Sequence, residues 1–384
     1  MNRRDFIKYA SMTPLAGMIP SILAQNPSNA KILVLVELKG GNDGLNTLIP
    51  HGKQAQAYHD ARSKLKITSQ QLNRHLKLDQ GFYLNPYLKE LKYLWDKGDM
   101  AWIQGVGYPD ADRSHFYSID VWNTADPTLR NINGWLTTKG LLSNKPNALN
   151  GIVIGDDNMG PFAGKDGHAV AMQNPRTFRR QTQYLNRKRY RAANDSLKHL
   201  LSTQNQIHAA VDLLDKKLHN SSRQAVNFPS GDFGRDLQQV SNLIVNGVHL
   251  PVFKVTLAGF DTHAGQNNTH NNLMYELGGG LRAFYNSMQK AGLWDNVLVM
   301  TYSEFGRRVA ENTSQGTDHG SASAHFVLGG KVNKGIYGKE PSLIDLDDGD
   351  LRPTVDFRQM YATIAQRWWR RPNPWHGHRP LPFV

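Results

Sequence analysis

Residues 297–330 read VLVMTYSEFGRRVAENTSQGTDHGSASAHFVLGG. The stretch divides into an apolar strand, a polar loop and a second apolar strand. Its first six residues form a continuous β-rich run, the pattern of a strand buried on both faces of a parallel sheet. Glu304, Arg307, Arg308, Asp318, His319 and His325 all come after that strand ends. Ligand sites in open α/β sheets lie beyond the carboxyl ends of strands, so polar groups here are placed for chemistry. The competing reading is a solvated Glu304–Arg307 pair and a turn capped by Asp318.

The same order of apolar strand and polar loop recurs along the chain. Residues 251–257 (PVFKVTL) lead into Gly259-Phe260-Asp261-Thr262-His263, and 31–38 (KILVLVEL) lead into Gly40-Gly41-Asn42-Asp43. Residues 100–106 (MAWIQGV) lead into Asp112-Arg113-Ser114-His115, which reads as a helix start. Free backbone N–H groups there favour an anion near Ser114, while the plainer reading makes Asp112 or Ser114 a helix cap. Residues 151–155 are a further short strand. Between the strands, apolar residues fall at helical spacing: Leu84, Leu88, Leu91 and Trp95; Phe233, Leu237, Val240 and Ile244; Leu273, Leu277, Leu281, Phe284 and Met288; and Phe357, Tyr361, Ile364 and Trp368. Helix and strand alternating through short links imply parallel, right-handed crossovers, hence a doubly wound, mostly parallel α/β sheet. An arginine-rich segment, about 175–220, reads as a helical insertion on one flank. Arg179, Arg180, Arg187, Lys188, Arg189 and Arg191 lie on its polar side, to guide an anion or simply to be solvated. The proline-rich tail from 372 to 384 reads as extended on the surface.

Residues 1–30 read as a twin-arginine export signal. Asn2-Arg3-Arg4-Asp5-Phe6-Ile7-Lys8 precedes a modestly apolar run broken by Pro14 and Pro20, too short to span a bilayer comfortably. Cleavage after Ala24 or Ala30 would leave one domain, 31–384, in the periplasm or secreted, with the twin-arginine export machinery as a partner and no transmembrane span in the mature chain. Across all 384 residues, Lys and Arg outnumber Asp and Glu by 45 to 32, a net charge of +13 that suits anionic surroundings or substrates. No motif for specific nucleic-acid recognition accompanies that charge. The absence of cysteine excludes disulfides, thiolate metal sites and a cysteine nucleophile. No phosphate-loop pattern and no Gly-x-Ser-x-Gly elbow occurs.

A parallel sheet gathers the strand ends on one edge, bringing together Asp43, Ser114, His115, Asp261, His263, Glu304, Asp318 and His319. Carboxylates and imidazoles are the oxygen and nitrogen ligands of zinc, manganese and similar divalent ions, and two such ions clamp the oxygens of phosphoryl transfer.

The twin-arginine start, GGNDGLNTLIP, RSHFYSIDVW, GFDTH, and SEFGRR with GTDHG resemble the exported bacterial proteins grouped as the domain-of-unknown-function 1501 family. That family is placed by remote similarity with the alkaline phosphatase and sulfatase superfamily. The resemblance implies an alkaline-phosphatase-like fold and a metal-dependent hydrolase. Carried over residue by residue, it makes Asp43, or Glu37, the first metal carboxylate, Ser114 the nucleophile, Asp261 and His263 later ligands, and His319 the final one. Ser303-Glu304 stands where the superfamily commonly has Asp-His. The Ser-x-Pro-x-Arg motif of formylglycine sulfatases is absent, which favours phosphate esters. The expectation is an exported hydrolase of phosphate or related anionic esters, small or polymeric. One or two divalent ions, zinc or manganese, are held by Asp43, Asp261, His263, Glu304, Asp318 and His319. Ser114 attacks, and His115 or Arg307 steadies charge. The alternative is a catalytically inactive periplasmic or envelope binding or assembly protein on the same fold.

Overall fold

A computed structural model describes residues 30–138, 140–143, 149–164, 166–182, 195–218 and 226–384. The expected export signal, and the lysine and arginines of 187–191 with the role expected of them, lie outside these residues. The described elements in chain order are β1 (Ile32–Lys39), β2 (Leu48–Pro50), α1 (Ala55–Ala61), β3 (Phe82–Leu84), α2 (Lys89–Lys97), β4 (Met100–Gly107), α3 (His115–Thr124), β5 (Gly151–Ile154), β6 (Ala169–Met172) and α4 (Pro175–Thr182). They continue with α5 (Asp195–Leu218), α6 (Asp232–Val245), β7 (Val252–Ala258), α7 (Gln266–Lys290), β8 (Val297–Tyr302), β9 (Ser323–Leu328), β10 (Gly335–Tyr337) and α8 (Arg358–Thr363).

One nine-stranded sheet carries the molecule, in the order β10-β4-β9-β8-β1-β7-β5-β6, with Val355–Asp356 added beside β4. β1 lies at its middle, parallel to β7 on one side and β8 on the other. Its alternation explains its place. Ile32, Val34, Val36 and Leu38 enter the core on one face with Phe233, Leu237, Leu281 and Phe284 of α6 and α7. Leu33 and Leu35 enter the core on the other, with Val121 and Trp122 of α3 and Tyr361 of α8. A strand covered on both faces needs apolar residues at every position, so the continuous runs mark central strands. The sheet is thus doubly wound and mostly parallel, as expected.

Four local features alter or refine these expectations. β9 runs antiparallel to both β8 and β4, so the second apolar strand of 297–330 returns directly instead of crossing over. The 83–97 stretch is not one helix: Leu84 belongs to β3, which pairs with β2, and α2 begins only at Lys89. The last helix loosens into a π turn over Ile364–Trp368. The tail lies largely at the surface, as expected, and is pinned at its end, where Phe383 is fully buried and its carbonyl accepts from the Asn333 N–H at 2.9 Å. The flank insertion does contain helices, α4 and α5, and Ala210 and Leu214 join the α6–α7 face of the core. Among the described residues, no helix is long and apolar enough to cross a membrane.

Candidate functional site

Because β1, β4, β7 and β8 point the same way, their carboxyl ends share one edge. Antiparallel β9 starts on that edge, with Ser323 opposite Val106. The loops after β1 and β7 touch closely. Gly40 adopts φ +119°, and a Cβ there would lie 2.4 Å from the Asp261 nitrogen, so only glycine permits the approach. The Gly40 N–H donates to Glu304 Oε1 at 2.9 Å, tying in the loop after β8.

Three imidazoles meet the Asp261 carboxylate on this edge. His263 Nε2 and His319 Nε2 lie 3.0 and 3.1 Å from Asp261 Oδ1, and His115 Nε2 lies 3.4 Å from Oδ2. The two imidazole nitrogens of His263 and His319 are themselves 2.9 Å apart. Each ring is held from behind by a different acceptor on Nδ1: Glu304 for His115 at 2.9 Å, Asp318 for His263 at 3.3 Å, and the Arg113 carbonyl for His319 at 2.8 Å. An acceptor at each Nδ1 can take the ring proton and free Nε2 to face inward with its lone pair, the arrangement that orients metal-binding histidines. Lone pairs and a carboxylate facing one another at these distances require positive charge among them, a proton or a metal ion. His115, Asp261 and His319 present ligand atoms all within 4.8 Å of one another, with His263 alongside. The donor set of nitrogens and one carboxylate fits zinc or manganese. Asp261 and His263 are nearly half exposed, so the group opens to solvent.

The other expected residues stand around this group. Glu304 and Asp318 face the backs of His115 and His263. Arg307 is 1% exposed and turned to the protein. Its Nε donates to the Gly41 carbonyl at 2.8 Å and Nη1 to the Thr317 carbonyl at 2.8 Å. Its Nη2 donates to the carbonyls of Gly40 and Phe260 and, at 2.7 Å, to Asp261 Oδ1. Ser114 is exposed at the start of α3, between Arg113 and His115, and its side chain makes no capping bond. Asp43 is not brought to the imidazoles. It is buried, caps the turn Gly44–Asn46 through Leu45 N–H at 3.2 Å, and pairs with Arg62 and Gln266. Glu37 is likewise buried, 2.7 Å from the Lys254 ammonium.

The charges follow from these contacts. Burial works against ionised Asp261, but the Arg307 and His319 hydrogen bonds outweigh it and hold the carboxyl at about 2. Asp43 is also held below the usual carboxylate range, its burial outweighed by the Arg62 guanidinium. The Glu304 hydrogen bond raises His115, whereas burial lowers His319. A bond from Asn312 lowers Asp318.

Sequence reading passed over Arg62, Gln266, Asn312 and Thr317, which hold Asp43, Asp318 and Arg307 in place. Thr317 stands in the GTDHG stretch beside Asp318 and His319, and the other three sit in no recognisable motif. Complete burial of Arg62 is its only signal, and burial appears only in the fold.

Solved chains of similar shape include three proteins of low identity. The C-terminal periplasmic domain of EcEptC from Escherichia coli is 10% identical, with a TM-score of 0.44 over 93% of this chain and 87% of that one. A protein in the alkaline phosphatase superfamily from Vibrio parahaemolyticus is 10% identical, with a TM-score of 0.39 over 99% and 78%. The phosphonate monoester hydrolase SpPMH from Silicibacter pomeroyi is also 10% identical, with a TM-score of 0.35 over 92% and 76%. Likeness of this size carries no argument about chemistry. No curated protein sequence matches the chain. The family described as "Protein of unknown function (DUF1501)" matches residues 104–378, a span that includes His115, Asp261, His263 and His319, and the chain belongs to that family.

Proposed function

We propose that the chain is an exported, metal-dependent hydrolase of phosphate or related anionic esters. One observation carries the reading: three imidazole Nε2 atoms lie 3.0–3.4 Å from one carboxylate while each Nδ1 is tied to a separate acceptor. In this reading His115, Asp261, His263 and His319 hold a divalent cation, and Glu304, Asp318 and the Arg113 carbonyl orient the rings. When bound, the cation would stabilise negative charge on an ester oxygen and favour an ionised nucleophile.

Ser114 is the proposed nucleophile. It stands beside His115 at a helix start, and its hydroxyl is not used for capping. Free N–H groups of the first turn of α3 favour an anionic group at the same place. The net charge of +13 suits an anionic ester, small or polymeric. Arg307 takes a different role from the expected one, since its donors are spent on protein carbonyls and Asp261; it positions Asp261 rather than touching substrate.

The test is metal analysis joined to hydrolysis of generic phosphate and sulfate esters with and without chelator. The reading expects stoichiometric metal, chelator-sensitive turnover, and loss of turnover with retained metal in Ser114→Ala. Protein that stays metal-free and inactive after zinc and manganese are added back would reject it in favour of a binding or assembly role.

A further inference from the structure

We infer that this centre takes a single divalent cation, and that the buried guanidinium of Arg307 fixes the Asp261 carboxylate in place to receive it. The inference rests on the metal reading above and concerns how many ions the edge can hold. A second ion needs its own carboxylate or imidazole ligands. Each further carboxylate that the sequence offered as a ligand already has protein partners. Asp43 has Arg62 and Gln266 on one oxygen and the N–H groups of Leu45 and Asn46 on the other. Glu37 has the buried Lys254 ammonium at 2.7 Å and the Tyr302 hydroxyl at 3.3 Å. Glu304 accepts from Gly40, Ser303 and His115, and Asp318 from Asn312 and His263. Among the described residues, His115, Asp261 and His319 are the one group of three or more such side chains whose ligand atoms fall within 4.8 Å.

Arg307 braces the carboxylate of the centre. It donates to Asp261 Oδ1 at 2.7 Å, the same oxygen that faces His263 and His319. Four backbone carbonyls, of Gly40, Gly41, Phe260 and Thr317, receive its other bonds, so its place is set by three loops at once. A guanidinium is always charged and presents its donors in a rigid fork, which suits it to hold a carboxylate and several carbonyls at once. Arg62 holds Asp43 in the same way.

The experiment counts ions. The full chain is equilibrated with zinc, and separately with manganese, freed of loose metal by gel filtration and analysed by inductively coupled plasma mass spectrometry. One ion per chain is expected. Two ions per chain would overturn the inference and leave the metal reading standing; none would overturn both. Asp43→Asn is expected to keep its one ion, and loss of the ion from a variant with native circular dichroism would make Asp43 a ligand and overturn the inference. Arg307→Met is expected to weaken zinc binding about 10–100-fold, with part recovered in Arg307→Lys. Unchanged zinc affinity in Arg307→Met would remove the role given to Arg307. Should that variant fail to fold, the wild-type count and Asp43→Asn still decide the number of ions.

Discussion

Arg307 shows how much of this site depends on single buried side chains. Its charge lies inside the protein, satisfied only by four carbonyls and Asp261. Removing one partner of such an arrangement strands the others, so Arg307→Met should lower unfolding stability by about 3–5 kcal/mol in urea titration. A loss below ~1 kcal/mol would show that the loops hold together without it. Two buried histidines act in the opposite sense. Burial, offset only in part by Asp43, pushes His270 down to about 4, and burial alone pushes His325 to about 3. An unfolded histidine titrates near 6.5. As pH falls below that value the unfolded chain takes up protons first, so stability is full above about pH 6.5 and declines toward pH 4 and 3. Each histidine accounts for a few kcal/mol of that decline. Neither ring nitrogen of His325 has a hydrogen-bond partner among the described residues. His325→Leu should therefore keep its stability at pH 7 and lose distinctly less than the parent between pH 7 and 4. Equal acid sensitivity in the two proteins would contradict this. Asp261, His263 and His319 were legible as candidates because each lies in a polar loop beyond an apolar strand. The direction in which their nitrogens face was not, because it depends on a backbone carbonyl at Arg113 that no side-chain pattern encodes.

At the scale of elements, the site is a meeting of loops whose spacing glycine sets. The loop after β1 lies against the loop after β7 at Gly40, where φ is +119° and an added Cβ would meet Asp261 N at 2.4 Å and Phe260 backbone atoms within 3 Å. Gly40→Ala should cost about 1–3 kcal/mol from the backbone strain alone. By displacing Asp261 it should also weaken zinc binding by at least about tenfold, read by competition with a chromophoric chelator. A variant with parental zinc affinity would show that this contact does not position the carboxylate. The central strands β1, β4, β7 and β8 were readable from continuous apolar runs, since burial on both faces leaves no room for polar alternation. The direction of β9 was not readable, because an apolar run reads alike in both directions. The division of 83–97 into β3 and α2 was hidden by Leu84, which continues the helical spacing while its backbone pairs with β2. Asp43 followed the right strand end and still joined a different network, because its partner Arg62 lies 19 residues further along the chain.

At the scale of the molecule, the sheet turns distant segments into one site: His115 precedes His319 by more than half the chain, yet their ring centroids lie 4.4 Å apart. A ligand that bridges loops from α3, β7 and the segment before β9 stabilises the whole fold by mass action. At a free concentration 100 times its dissociation constant the gain is about 2.7 kcal/mol. Zinc-loaded protein should accordingly melt several degrees above chelator-treated protein, and the difference should vanish in Asp261→Asn. Identical melting of loaded and stripped wild-type protein would speak against a cation held between these loops. The central claim is met most directly by anomalous diffraction at the zinc absorption edge, from crystals of the full chain grown with zinc. One strong anomalous peak per chain is expected, bounded by His115 Nε2, His263 Nε2, His319 Nε2 and the Asp261 carboxylate. No peak there, with zinc elsewhere or nowhere on the chain, would contradict it.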